Sequence, residues 1–210
     1  REIYGAALDV LKDQPQTNEL RYKYLKIYLE FVQQENSPAV YNEARTKEFA
    51  QSLAVMSIQL PNVVKLETVT QLTAIKNLGQ DSKTKTLLEL FTIFEQKGLP
   101  DFSEWHKKNP NTLKEFGLDY EACLEKIRLL TLCSLAAGQK SLSYEAVAKA
   151  LNIGKEDVEF WVVNAVSNQY MGAQIDELSE SIHINHTTQR NFGQEDWKNL
   201  KTTISLWRSK

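Results

Sequence analysis

Three histidines and two cysteines are the side chains of this 210-residue chain best suited to hold a metal or attack a substrate. Their spacing suits neither task. His183 and His186 stand three apart in a run of alternating residues, where a strand turns them to opposite faces, and no cysteine or acid clusters with them. Cys123 and Cys133 fall ten apart in one predicted helix, about 15 Å along its axis, too far for a disulfide. They read as buried, reduced thiols of a reducing compartment. The sequence has no glycine-rich phosphate loop, no Gly-x-Ser-x-Gly elbow, no His-Glu-x-x-His and no His-x-His followed by Asp. The expectation is a protein that is not an enzyme, with no catalytic residues, no metal and no cofactor.

Contact chemistry is better represented. Trp197, Leu200, Ile204 and Trp207 recur at intervals of three, four and three, a heptad-like seam on a terminal helix. That seam packs either on the chain's own body or on a partner, where tryptophans make good anchors. Trp161 reads as a core residue; Phe160 lies about 100° around the helix from it, so one of the two is expected to be exposed at a docking surface. These six residues are the expected protein-interaction set. Thr187, Thr188 and Arg190 read as a structured turn, with Arg190 pairing to an acid, or as a phosphate contact. Lys83, Lys85, Lys97, Lys107 and Lys108 read as a solvated face or a weak RNA contact.

The elements that position these residues form a winged helix at residues 141–193. Ser143 is placed to cap a helix ending near Leu151, and Asn152-Ile153-Gly154 breaks the chain. Residues 155–169 form a second helix with Val158, Trp161, Val162, Ala165 and Val166 on one face. Two alternating runs, 171–176 and 181–186, make a β-hairpin wing. Seven acids against three bases give this module a balance of −4, and Glu156, Asp157 and Glu159 crowd the turn that would meet DNA. A reader of DNA replaces counterions on phosphate with Lys and Arg, so DNA is not the expected partner.

Residues 1–140 read as helix after helix, punctuated by Pro and Gly in the rhythm of an α-solenoid. Helices are predicted over 19–34 (stripe Leu20, Tyr24, Ile27, Tyr28, Phe31), 39–59, 63–78 and 83–97. A short helix capped by Asp101 and Glu104 carries Trp105. Residues 120–137, apolar almost all round in their second half, join the helical part to the winged helix. Residues 194–210 form the terminal helix. The fold class is therefore mainly α, with the three parts in one rigid module. At 42% hydrophobic and 25% charged residues with net charge −2, the chain fits a globular protein that recruits neither nucleic acid nor membrane by charge. No apolar run approaches the ~20 residues that span a bilayer. Beginning at Arg1 rather than Met, with no signal peptide, the chain reads as a fragment.

This order of parts resembles the PCI domain shared by the proteasome lid, the COP9 signalosome and eukaryotic translation initiation factor 3. Three stretches are similar to the subunit M branch of the initiation factor: 126–132 (KIRLLTL), 151–159 (LNIGKEDVE) and 185–197 (NHTTQRNFGQEDW). The last is the most specific. The likeness covers roughly residues 80–210, the earlier part matching only as generic helical repeats. It implies a non-catalytic, cytoplasmic scaffold subunit. Such a subunit packs its winged helix against other PCI subunits and sends its terminal helix into a shared bundle, in a complex acting on the small ribosomal subunit. The seventh-subunit type of the signalosome has the same plan and is the alternative; a nucleic-acid-binding winged helix is a third reading.

Overall fold

The computed structural model describes residues 2–12, 17–35, 37, 40, 43–80, 82–188, 190, 198, 201, 202, 204, 205 and 207. The helical part opens with α1 (Glu2–Leu11), α2 (Asn18–Glu35) and α3 (Ala44–Gln59). The face that α2 buries differs from the one expected. Leu25, Tyr28, Leu29 and Val32 form the buried stripe, while Leu20 and Phe31 face out. Two apolar stripes of helical period interleave on α2, and the more aliphatic one packs on α3, with Tyr28 edge-on to Phe49 at 5.1 Å. Tyr24, from the other stripe, is half-buried and meets Tyr4 of α1 at 6.1 Å.

The helix expected over 63–78 is broken. Residues 63–66 are irregular, followed by α4 (Glu67–Thr70), α5 (Thr73–Asn77) and a 3-10 turn, Leu78–Gln80. The buried residues explain the break: Leu66, Val69, Leu72, Ile75 and Leu78 recur at every third position. Three residues of α-helix turn only about 300°, so a continuous helix would carry these five side chains around its circumference. Breaking at Leu72, which is extended (ψ 127), keeps them on one side.

Two more helices follow, α6 (Ser82–Gln96) and α7 (Leu99–Lys108). Helix α6 is covered on several sides, as its composition predicts: Leu87, Leu90, Phe91, Ile93 and Phe94 are all buried. Helix α7 begins two residues before the expected cap. Gly98 is its N-cap, Pro100 fits the first turn, and the Gly98 N–H donates to Asp101 at 3.4 Å. A short helix, α8 (Thr112–Glu115), leads through Gly117 (φ 65) to α9 (Tyr120–Ala136). Buried residues surround α9 on most of its circumference, because α3 and α7 pack on one side and the winged helix on the other.

The winged helix comprises β1 (Ser141–Ser143), α10 (Tyr144–Leu151), a 3-10 turn at Lys155–Asp157, α11 (Val158–Ser167), β2 (Met171–Asp176) and β3 (Ser181–Thr187). The single helix expected over 155–169 thus has a tighter first turn and an earlier end. Strand β1 was not legible as a strand. It pairs antiparallel with β3, giving the order β1-β3-β2, with Leu142 opposite Ile182 and Ile175 opposite Ile182 across the other edge. Leu142, Met171 and Ile182 close the core beneath α10 and α11.

Candidate protein-interaction surface

Local signals build the module largely as the sequence suggests. Ser143 ends β1 and accepts from the Ala146 N–H at 3.3 Å, capping α10. Asn152 stops α10 in the left-handed region (φ 52), which asparagine tolerates better than most residues. Tyr144 donates to Glu159 at 2.8 Å and ties α10 to α11. The wing turn is braced by the Ser179 N–H on Asp176 (3.3 Å) and by the Lys155–Glu180 ion pair (2.9 Å). Leu178 stands fully exposed at its tip.

The aromatic pair on α11 divides as its angular separation predicts. Trp161 is 8% exposed, with the Arg128 guanidinium of α9 over its ring at 5.2 Å. Phe160 is 64% exposed and meets Trp161 edge-on at 5.7 Å. Val163 and Val166 are exposed on the same helix, so Val166 does not belong to the buried face as expected. Between α11 and the start of α9 lies an open groove of about 470 Å³, lined by Asp119, Glu121, Glu125, Arg128, Phe160 and Trp161 among others. Asn164 donates to Glu125 across it at 2.9 Å.

Of the terminal seam, Ile204 (51% exposed) and Trp207 (73%) are helical and face outward. Trp197 and Leu200 lie outside the described residues. Lys85, Lys97, Lys107 and Lys108 are exposed on or next to α6 and α7, and Lys97 pairs with Asp101 at 3.8 Å. The Lys83 side chain lies outside the described residues.

Arg190 is a correction. It does not pair with an acid of the wing. Its guanidinium is buried against the end of α6, where it donates to the carbonyls of Glu95 (3.1 Å), Ile93 (3.1 Å) and Lys97 (2.5 Å) and to the Ser134 hydroxyl (3.3 Å). Burial lowers its pKa to about 10. Thr188 joins a structured turn, its N–H donating to the Tyr170 carbonyl at 2.8 Å. Tyr170 itself is fully buried, and its hydroxyl donates to the Pro61 carbonyl across the joint with the helical part.

Lys126 opens the 126–132 stretch, but the resemblance assigns it no role. Buried on α9, it donates to the carbonyls of Ser57 and Leu60, both at 2.6 Å, at the end of α3. Burial depresses its pKa to about 7. The signal was available as a cation at the start of the most apolar half of a central helix. Cys123 and Cys133 are buried free thiols, pushed up by burial to about 12 and about 11. Among the described residues, no group of three or more His, Cys, Asp or Glu side chains is arranged to hold a metal, and no helix is long and apolar enough to cross a membrane.

Residues 72–186 match the PCI domain. The whole chain is similar to a protein of Dictyostelium discoideum named eukaryotic translation initiation factor 3 subunit M: 30% identical over 211 residues, covering 100% of this chain and 51% of the relative. A protein of the same name from Phaeosphaeria nodorum is 29% identical, over 100% of this chain and 46% of its own length. Another from Xenopus tropicalis is 26% identical, over 80% of this chain and 44% of its own. The likeness thus extends beyond the three stretches that first suggested it, into the N-terminal helices. The chain spans about half the length of the curated relatives it matches.

Proposed function

Because this chain belongs to the PCI-domain family, we propose that it acts as a non-catalytic scaffold in eukaryotic translation initiation factor 3, in the position its subunit M relatives hold. The observation that carries this reading is the similarity running the full length of the chain to proteins of that name. In this reading residues 1–140, 141–193 and 194–210 move as one module. The winged helix presents Phe160 to other PCI subunits while Trp161 holds it from behind. The terminal helix enters a shared bundle through Trp197, Leu200, Ile204 and Trp207. The outward exposure of Ile204 and Trp207 supports a partner on that seam, since apolar side chains left in water gain most from being covered. The complex works in the cytoplasm on the small ribosomal subunit, which the chain reaches directly or through neighbouring subunits.

The test is affinity purification of the tagged full-length protein from cells, with mass spectrometry of what accompanies it. Initiation-factor subunits are the expected company. Signalosome subunits in their place would keep the scaffold and overturn the assignment to initiation. Ile204→Asp with Trp207→Ala is expected to abolish recovery of the complex while the isolated chain stays folded, since a buried carboxylate in an apolar seam is costly. Full recovery of the complex with that double variant would sink the role given to the seam.

A further inference from the structure

The groove between α9 and α11 has chemistry specific enough to name what fills it, and naming it rests on the docking role proposed for Phe160. Its floor is aromatic, the Phe160 ring lying open beside Trp161. Asp119, Glu121 and Glu125, all exposed, supply its carboxylates. Among the described residues none of the three forms an ion pair; Asp119 caps α9 by accepting from the Ala122 N–H at 2.9 Å, and Glu125 accepts from Asn164. The one cation in the groove, Arg128, is laid over Trp161. Glu156 and Asp157 add exposed negative charge at the start of α11.

A phosphate backbone is repelled by such a site. A wholly apolar helix would cover Phe160 but strip water from carboxylates that have no cation to meet, which is costly. A lysine or arginine satisfies both parts: its methylene stem lies on the ring, and its charged end reaches the acids. We propose that this groove binds a basic segment of a protein partner, with a lysine or arginine across Phe160 and an apolar neighbour against Val163.

The test uses the full chain and a fluorescent peptide of alternating leucine and lysine, beside the same peptide with glutamate for lysine. Anisotropy titrations are expected to show binding of the lysine peptide alone, weakening as salt is raised. Phe160→Ala is expected to weaken it about five- to tenfold, as loss of an interface anchor does. Glu121→Lys is expected to weaken it about fivefold, whereas Glu2→Lys, an equal charge change on distant α1, leaves it within about twofold. Phe160 and Glu121 are both exposed, so unchanged thermal unfolding is expected to accompany the losses. Equal binding of the two peptides, an unaffected Phe160→Ala variant, or a loss with Glu2→Lys matching that with Glu121→Lys would each overturn the proposal. A chain that joins the initiation-factor complex yet binds no peptide overturns the groove alone. One that binds as described yet is recovered without those subunits overturns the scaffold reading and leaves the groove standing.

Discussion

Replacing Arg190 by methionine separates what its guanidinium donates from the space it fills. Four hydrogen bonds are lost, three of them to carbonyls at the end of α6. They are not equivalent. The Ile93 carbonyl keeps the Lys97 N–H at 3.0 Å, and Ser134 keeps its own bond to the Leu130 carbonyl at 3.0 Å. The Lys97 carbonyl loses its charged donor at 2.5 Å, at about 1–3 kcal/mol for a buried acceptor left unpaired. A cation also leaves the negative end of a helix dipole, worth about 1 kcal/mol. Against these stands the relief of no longer burying a charge, the penalty that lowers Arg190 to about 10. The net expectation is a loss of about 2 kcal/mol. Arg190→Lys keeps the charge but loses the fork, and is expected to cost about 1–2 kcal/mol. Urea unfolding followed by tryptophan fluorescence measures both, the m value serving to show that the same transition is compared. A methionine variant within about 0.5 kcal/mol of the parent, or a lysine variant less stable than the methionine one, would refute the reasoning.

Lys126 makes stability depend on pH with a definite sign. Between about 7 and its ordinary 10.5 the unfolded chain holds a proton that the folded chain has released, so stability rises with pH, by at most about 1.4 kcal/mol per unit. Above about 9 the thiols of Cys123 and Cys133 keep protons in the folded chain that the unfolded chain loses, and stability turns down. Lys126→Met is expected to remove the rise and keep the fall; urea midpoints across that range read both limbs. Tyr170→Phe deletes only the hydroxyl that meets Pro61, and is expected to cost about 1–2 kcal/mol in the same assay. Asn152→Ala should cost about 1 kcal/mol at its positive φ, whereas Asn152→Gly should fall within a few tenths, compared by thermal unfolding.

What the sequence made legible is what local rules govern. Ser143 as a cap, the break at Asn152, the hairpin wing and the division between Phe160 and Trp161 depend on neighbours within a few residues, and the structure has them all. Misreadings arose where the choice belongs to a distant surface. Helix α2 carries two apolar stripes of equal period, and the helices packed on it, α3 foremost, decide between them. Residues 66–78 carry a threefold spacing that a helical template absorbs, although it fits short broken turns better. Strand β1 is three residues long, and its pairing with β3 spans about forty residues of sequence.

The partners of Lys126 and Arg190 were illegible for a further reason: they are carbonyls, which leave no trace in the letters of a sequence. Both act by one principle. Helices α3 and α6 end beneath other elements, and a buried basic side chain donates to their last carbonyls, Lys126 at α3 and Arg190 at α6. The Tyr170 hydroxyl does the same for Pro61, just past the end of α3. Tyr170 and Arg190 thus tie the C-terminal part to the helical part through backbone acceptors and spend no carboxylate on the joint. Glu121, Glu156, Asp157 and Glu177 are all exposed.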